Sequence, residues 1–131
     1  MAARAHLVRL VRVLFVCTAN ISRSRVAEAV FRDLTAFAPV GYEVRSAGIA
    51  ADPRGRQLTG ADVEWADVVC VMEPTHSVWI AERWRSVAGK LRVLGIPDIY
   101  APGDPVLEDL LRTHILLLLA EVDPPGRVPE K

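Results

Sequence analysis

The chain has 131 residues, of which 51% are hydrophobic, and its 16 basic and 16 acidic side chains cancel to a formal net charge of zero. This length allows one domain and enough apolar side chains to bury a core without disulfides or a structural metal. The balanced charge gives no basic excess of the kind that marks nucleic-acid-binding proteins, and the apolar content argues against disorder. We expect one domain over residues 1–131, with loose termini at about 1–10 and 123–131.

The two cysteines, Cys17 and Cys70, are too few for a disulfide framework and lack the CxxC spacing of a metal site. They favour a reducing, cytoplasmic setting. Basic residues before the apolar run at 13–17 imitate a signal peptide, but the run is short and leads into a polar turn, which favours a buried strand. The apolar run at 115–120 is far below the roughly 20 residues of a membrane span. We expect neither secretion nor a membrane partner.

Strands and helices alternate from the start of the chain. The apolar, partly β-branched run at 11–16 is typical of a central parallel strand buried on both faces. Helical spacing then predicts a helix over 24–36, ended by Pro39 and Gly41, and a second strand over 42–46. The buried stripe of this helix is expected to consist of Val26, Val30, Leu34 and Phe37.

The later elements are expected as a loop over 47–60, a short helix near 61–65, a strand over 68–72, a helix from Pro74 to Gly89, a strand over 91–94, a loop over 95–103, and a helix from Asp104-Pro105 to a turn at 123–126. The inner residues of the two long helices are expected to be Val78, Ala81, Trp84 and Ala88 in the first, and Leu107, Leu111, His114 and Leu118 in the second. We expect exposed side chains for His6 and His76, and a buried, inert Cys70.

This alternation predicts an α/β fold, a three-layer sandwich with a four-stranded parallel sheet, doubly wound in the flavodoxin-like manner with right-handed crossovers. Ligands of such folds bind at the carboxyl ends of the strands. The turn after the first strand and the loop after the fourth are therefore the expected site.

The turn after the first strand is rich in polar groups and is expected to bind phosphate. An oxyanion fits a loop of this length, because successive backbone N–H groups and the following helix N-terminus point inward. Arg23 can grip two phosphate oxygens, and the same field favours the thiolate of Cys17. Packing alone seldom needs a cysteine, an arginine, an asparagine and three hydroxyls in one turn. The expected phosphate-binding loop consists of Cys17, Thr18, Ala19, Asn20, Ile21, Ser22, Arg23 and Ser24.

Preceded by Val13-Leu-Phe-Val and followed by Ala27-Glu28, this turn resembles the signature VLFVCxGNxCRSPxAE of the low-molecular-weight protein tyrosine phosphatases. The resemblance covers about residues 11–119 and is greatest to a short predicted-phosphatase branch, trimmed between Gly55 and Trp65. It continues through Ser46-Ala-Gly48, Trp65-Ala-Asp67, Val71-Met-Glu73 and Ile96-Pro-Asp98-Ile-Tyr100.

The resemblance implies a catalytic set of three residues. Cys17 would attack phosphorus and form a phosphocysteine, and Arg23 would bind the phosphoryl oxygens. Asp98 would protonate the leaving oxygen and then take a proton from the hydrolytic water. A loop aspartate that only caps a turn is the alternative for Asp98. Neither a metal nor a cofactor is implied, since arginine and backbone amides carry the charge.

The resemblance also implies supporting roles. Asn20 would hold the loop in shape in a left-handed conformation, Ser24 would donate to the Cys17 sulfur, and Ser46 would support Asn20. Tyr100 would form one wall of the substrate slot, with ordinary loop packing as the alternative.

Several positions depart from the family pattern. Ala19 replaces a glycine, which would be strained if that position needs positive φ. Ser22 replaces a second cysteine, so disulfide protection of the nucleophile is absent. Arg25 replaces a common proline, and the loop at 47–55 lacks an aromatic second wall. Ile21 resembles the tyrosine phosphatases, whereas the arginine phosphatases of this superfamily favour threonine there.

We therefore expect a phosphomonoester hydrolase, acting on protein phosphotyrosine or an aryl phosphate, with inorganic phosphate as product and inhibitor. Its expected partners are a phosphorylated protein or a small phosphomonoester, and no nucleic acid. The alternatives are a thiol arsenate reductase, a non-hydrolytic phosphocarrier or phosphate-binding module, and a phosphatase of a small metabolite.

Overall fold

The computed structural model describes residues 10–38 and 41–122. Its elements are β1 (Leu10–Cys17), α1 (Arg23–Thr35), β2 (Gly41–Gly48), α2 (Gly60–Trp65), β3 (Val68–Val71), α3 (Pro74–Arg83), a 3₁₀ turn (Arg85–Val87), β4 (Leu91–Val93) and α4 (Pro105–Val122). The expectations for the termini, His6, Pro39 and the end of the last helix lie outside the described residues. Within them, no helix is both long and apolar enough to cross a membrane.

The four strands form one parallel sheet in the order β2-β1-β3-β4, which confirms the predicted fold class. The chain leaves β1 towards one side of the sheet for β2 and then crosses to the other side for β3. The carboxyl ends of β1 and β3 therefore flank the switch point, where ligands bind in folds of this type. Cys17 ends β1 there and pairs with Gly48 in the register of β2.

The core lies on both faces of the sheet because the side chains of β1 alternate between them. Phe15 belongs to the cluster that packs under α1 and α4, and Val16 belongs to the cluster that packs under α2 and α3. Both side chains are completely buried. A strand buried on both faces explains the unbroken apolar run in the sequence.

The predicted buried stripe of α1 is partly wrong. Phe37 is 99% exposed, because α1 ends at Thr35 and the helical repeat stops before it. The apolar residues that α1 buries are Ala27, Val30 and Phe31. The bounds of the helix agree with the prediction to within one residue.

The predicted inner face of α3 is wrong as well. Val78 is 58% exposed, and Ala81 and Ala88 are also exposed. The helix ends at Arg83, Trp84 has extended backbone angles, and a 3₁₀ turn follows. The helical spacing of apolar residues that the sequence predicts through Ala88 therefore stops at Arg83. The buried residues of this segment are His76, Ile80 and Val87.

Two expectations for histidines are also corrected. The sequence predicts an exposed His76, but the residue is only 2% exposed, because its ring lies between Thr18 and the backbone of Glu73. The buried face of α4 includes Ile115, whereas His114, which is predicted to lie on that face, is only half-buried. Asp104 begins α4 as predicted, with its carboxylate accepting from the Val106 N–H at 2.9 Å.

Replacing Phe31 by alanine is expected to lower the free energy of unfolding by about 3–5 kcal/mol, measured by urea denaturation. The ring is fully buried and lies edge-on between Phe15 and Tyr42, at centroid distances of 5.8 and 5.5 Å. The matched control is Phe37→Ala, for which we expect a change below about 0.5 kcal/mol. Equal losses in the two variants would contradict this description of the core.

Candidate active site

The turn between β1 and α1, residues 17–24, lies at the switch point of the sheet. Cys17 ends β1 and is 2% exposed, and Arg23 begins α1 after Ser22 as N-cap. The first N–H groups of a helix have no partner within it, so this end carries a partial positive charge. The turn thus combines a buried thiol with the positive end of a 13-residue helix.

Asn20 is the centre of the hydrogen bonds that shape this turn. Its φ is 59°, the left-handed conformation that the sequence predicts and that asparagine tolerates. Its side-chain N–H₂ donates to the hydroxyls of Ser24 at 2.8 Å and Ser46 at 3.0 Å, and its carbonyl oxygen accepts from the Arg56 N–H at 2.8 Å. The Ser46 hydroxyl donates onward to Glu28 at 2.6 Å. Three separate elements are thereby tied to one side chain.

The sulfur of Cys17 lies among donors. The backbone N–H of Asn20 donates to it at 3.3 Å, and the Ser24 hydroxyl lies 3.0 Å away. Because the Ser24 oxygen already accepts from Asn20, its own proton is available for the sulfur. This arrangement suits a thiolate, which accepts hydrogen bonds more strongly than a thiol.

Residues 47–56, the variable loop, are fastened to the outer side of the turn. The N–H groups of Ile49, Ala50 and Asp52 donate to the carbonyls of residues 17, 18 and 19 at 3.0, 2.9 and 3.0 Å. Arg54 donates to Asp52 from its side chain and backbone, and holds the pKa of that carboxyl at about 2. Arg25 donates to the Arg54 carbonyl at 3.2 Å, so this departure from the family pattern helps to anchor the loop.

The concern about strain at Ala19 does not apply. Asn20 is the one non-glycine residue with positive φ in the described part of the chain. Ala19 therefore adopts a conformation open to any L-residue, and its replacement of a glycine leaves no backbone strain.

Arg23 is buried and held by hydrogen bonds from one of its nitrogens. Its side chain is 2% exposed, and its Nη1 donates to the Glu73 carboxylate and, at 2.7 Å, to the Ile96 carbonyl. Its Nε–H is buried and has no hydrogen-bond partner among the described residues. The nearest acid on that side is Asp98, whose carboxylate oxygen lies 3.7 Å from Nε. One edge of the guanidinium is thus fixed, and a donor on another edge is available to an anion.

The loop after β4 brings Asp98 to the turn, as the sequence predicts for its position. The Asp98 side chain is 64% exposed, so it lies between the guanidinium of Arg23 and solvent. Tyr100 is half-buried and packs against the core cluster under α1 and α4. This contact fits the packing interpretation of Tyr100 and leaves its role as a substrate wall a prediction.

Sequence reasoning missed two residues of the site, Glu73 and His76. Both follow β3, whose carboxyl end lies beside that of β1, and the parallel-sheet rule that indicated Cys17 also applies to them. Glu73 holds Arg23, and His76 lies 3.0 Å from the hydroxyl of Thr18. Burial lowers the pKa of His76, and the charge of Arg23 lowers it further against the opposing effects of Glu73 and Asp98.

The second cysteine takes no part in the site. Cys70 lies fully buried in β3, and burial raises the pKa of its thiol to about 12. Within residues 10–38 and 41–122, no cluster of three or more His, Cys, Asp or Glu side chains is arranged to hold a metal ion.

Comparison with known proteins identifies relatives of this fold and turn. A family model described as low molecular weight phosphotyrosine protein phosphatase matches residues 12–64. A protein-arginine-phosphatase of Bacillus subtilis is 30% identical over 103 residues, which cover 63% of this chain and 69% of the relative. The chain belongs to the low molecular weight phosphotyrosine protein phosphatase family.

Solved structures of this phosphatase family superimpose well. A mutant of the YwlE arginine phosphatase with a phosphorylated active-site serine has a TM-score of 0.68 and 26% identity, covering 86% of this chain and 97% of that one. The tyrosine phosphatase Wzb of Escherichia coli K30, in complex with phosphate, has a TM-score of 0.69 and 27% identity, covering 85% and 97%. The chain is therefore a cysteine phosphatase of this family, and its relatives include both arginine and tyrosine phosphatases.

Replacing Gly48 by alanine is expected to distort the turn and lower the free energy of unfolding by about 1–3 kcal/mol. A Cβ there would lie 2.5 Å from the Thr18 carbonyl oxygen and 2.9 Å from the Asn20 nitrogen, both backbone atoms. Urea denaturation measures the loss, and backbone amide shifts of residues 18–20 locate it. The control is Gly103→Ala, where the added Cβ meets nothing within 4 Å and we expect little change.

Proposed function

We propose that this chain hydrolyses phosphomonoesters through a phosphocysteine on Cys17, with aryl phosphates such as protein phosphotyrosine as preferred substrates. One observation carries the proposal: the Cys17 sulfur has two donors directed at it, in a turn whose deeply buried arginine has an Nε–H without a hydrogen-bond partner among the described residues. A nucleophile and an anion-binding donor in one turn form the minimal set for phosphoryl transfer.

In the first step, the thiolate of Cys17 attacks phosphorus, an S–P bond forms and the P–O bond to the leaving group breaks. Asp98, as a carboxylic acid, gives its proton to the leaving oxygen. In the second step water attacks phosphorus, the Asp98 carboxylate takes a proton from it, and the S–P bond breaks to restore the thiolate and release phosphate. Backbone N–H groups of residues 18–23 and the Arg23 guanidinium hold the phosphoryl oxygens throughout.

The hydrogen bonds of Arg23 support its part in this scheme. Glu73 and the Ile96 carbonyl fix Nη1, so the planar guanidinium is oriented before any substrate arrives. A preoriented donor needs no rearrangement as negative charge develops on the phosphoryl oxygens. The exposed Asp98, 3.7 Å from Nε, is within reach of the ester oxygen of a substrate that occupies the turn.

The covalent step gains support from the phosphorylated active-site serine named for a relative, which shows that a side chain in that enzyme accepts phosphoryl. A preference for aryl phosphates rests on Ile21, which resembles the tyrosine phosphatases, and on Tyr100 beside Asp98 in the loop after β4. The variable loop supplies no aromatic second wall, so small phosphomonoesters remain secondary substrates.

The competing hypotheses receive less support. An arsenate reductase needs a further thiol to resolve the arsenylated enzyme, and the only other cysteine, Cys70, is fully buried with its pKa raised to about 12. A phosphocarrier needs a long-lived phosphocysteine, whereas Asp98 beside Arg23 supplies the acid–base group for its rapid hydrolysis.

Hydrolysis of p-nitrophenyl phosphate is expected in the wild type and lost in Cys17→Ser. We expect Asp98→Asn to lower kcat by a factor of about 10²–10⁴, the range for loss of a general acid. Arg23→Lys is expected to lower kcat/KM strongly, since lysine cannot reproduce the oriented fork. Cys70→Ala serves as the control thiol variant. An inert wild type, or a Cys17→Ser variant that keeps its rate, would overturn the proposal.

Substrate preference is tested by the ratio of kcat/KM for a phosphotyrosine peptide to that for a phosphoarginine peptide of the same sequence. The wild type is expected to favour phosphotyrosine, and Ile21→Thr is expected to move the ratio towards phosphoarginine by about tenfold, the scale of one altered pocket contact. Ile21→Val, which stays apolar, is the matched control. A wild type that prefers phosphoarginine would contradict the aryl preference and leave the phosphocysteine chemistry standing.

A further inference from the structure

His76 connects two segments that meet at the site. It is the third residue of α3 and is 2% exposed. Its Nδ1 lies 3.1 Å from the backbone nitrogen of Glu73, and its Nε2 lies 3.0 Å from the hydroxyl oxygen of Thr18, which directly follows Cys17. The ring therefore bridges the N-cap of α3 and the first residue of the turn.

The first of these contacts fixes the proton on the ring. A backbone N–H only donates, so Nδ1 must accept from Glu73 and carry a lone pair. In a neutral imidazole the proton then lies on Nε2, and Nε2–H donates to the Thr18 oxygen. The Thr18 oxygen then acts as an acceptor towards His76, and its own proton is free to bond another acceptor.

The surroundings favour this neutral form. The charged groups that face the ring are Arg23 from α1, Glu73 at the start of α3, and Asp98 from the loop after β4. Burial lowers the pKa of His76 first, and Arg23 lowers it further, whereas the two carboxylates raise it by less. Protonation would also place an N–H at Nδ1 against the N–H of Glu73.

We propose that His76 is a positioning residue of the phosphatase reaction, which holds Thr18 and the turn in the active arrangement only while its ring is neutral. The inference rests on the proposed function. The contribution of the neutral His76 ring to the free energy of unfolding is complete above the unfolded pKa of about 6.5. It is lost as pH falls towards the lower pKa of the folded state. In the folded enzyme the ring gains its second proton at Nδ1 only as pH falls through the lowered pKa of His76. That proton breaks the contact with the Glu73 N–H and releases the ring from its place against Thr18, which adds an acid limb to kcat/KM below pH 6.5.

The test compares His76→Gln, His76→Leu and Thr18→Val with the wild type between pH 4 and 8. Glutamine at the third helical position can accept from the N-cap N–H and still donate onward, and it does not titrate. We expect His76→Leu to lower kcat/KM at pH 7.5 by about tenfold, and His76→Gln to restore at least half of that loss on a logarithmic scale. Adding Thr18→Val to His76→Leu is expected to cause little further loss, because both act on one contact.

The pH dependence separates positioning from a purely structural role. The ratio of wild-type to His76→Gln kcat/KM is expected to fall below pH 6.5, as pH drops through the lowered pKa of His76. Only the wild type loses the Glu73 contact by protonation, and with it the placement of the ring against Thr18. His114→Gln, on the half-buried histidine of α4, is the matched control and is expected to leave the profile unchanged. A pH-independent ratio, or a folded His76→Leu variant with wild-type kcat/KM, would overturn the inference.

A readout without turnover distinguishes this failure from failure of the proposed function. Ring ¹⁵N spectra of the wild type are expected to show His76 with its proton on Nε2 near pH 7, and His76→Leu is expected to weaken the binding of inorganic phosphate. A protein that hydrolyses no phosphomonoester, yet shows the Nε2 proton and the weakened phosphate binding of His76→Leu, would contradict the proposed function and leave the role of His76 standing. An active enzyme whose His76 carries its proton on Nδ1 would contradict this inference alone.

Discussion

The left-handed backbone of Asn20 is the constraint on which the rest of the site depends. At φ 59° the chain reverses between the end of β1 and the start of α1, which brings Ser24 back to the sulfur of Cys17. The same side chain then joins β2 through Ser46 and the variable loop through Arg56. One residue thus sets the curvature of the turn and spreads its strain over three elements, as expected where an unusual conformation is over-determined by its surroundings.

The buried charge of Arg23 is balanced by neighbouring carboxylates. Arg23 is buried with one edge compensated by the carboxylate of Glu73, since an isolated buried cation would be far too costly. A second carboxylate, that of Asp98, lies 3.7 Å from Nε, but it is too distant for a hydrogen bond, so the Nε–H remains available as a donor to an anion. Keeping His76 neutral beside Arg23 avoids a second buried cation in the same space. With Glu73 and Asp98 both within salt-bridge distance of Arg23, these side chains carry no positive excess, so the attraction for an anion rests on the N–H groups of the turn and the N-terminus of α1.

The sequence predicts those features that depend on residues close together in the chain, and it misses those that depend on the order of the strands. The fold class and the bounds of β1 and α1 follow from short-range periodicity. The contacts among Cys17, Asn20 and Ser24 are also local, because all three residues lie within eight consecutive positions of the sequence. Glu73 and His76 come from a different strand end, and their contact with the turn depends on sheet order, which periodicity does not contain. The wrong buried stripe of α3 has another cause: the extended backbone of Trp84 breaks the helical repeat.

The three hydrogen bonds from the variable loop to the turn have a consequence for what the turn can recognise. In a planar trans peptide the C=O and the next N–H point in opposite directions. With the carbonyls of residues 17, 18 and 19 bound on the outside, the N–H groups of residues 18, 19 and 20 must point inward, as that of Asn20 does towards the sulfur. These three peptides therefore present donors to the interior, whatever the side chains of residues 18–20 are. Folding aligns these dipoles in advance, so the turn favours an anion by its backbone geometry and needs no lysine to attract one.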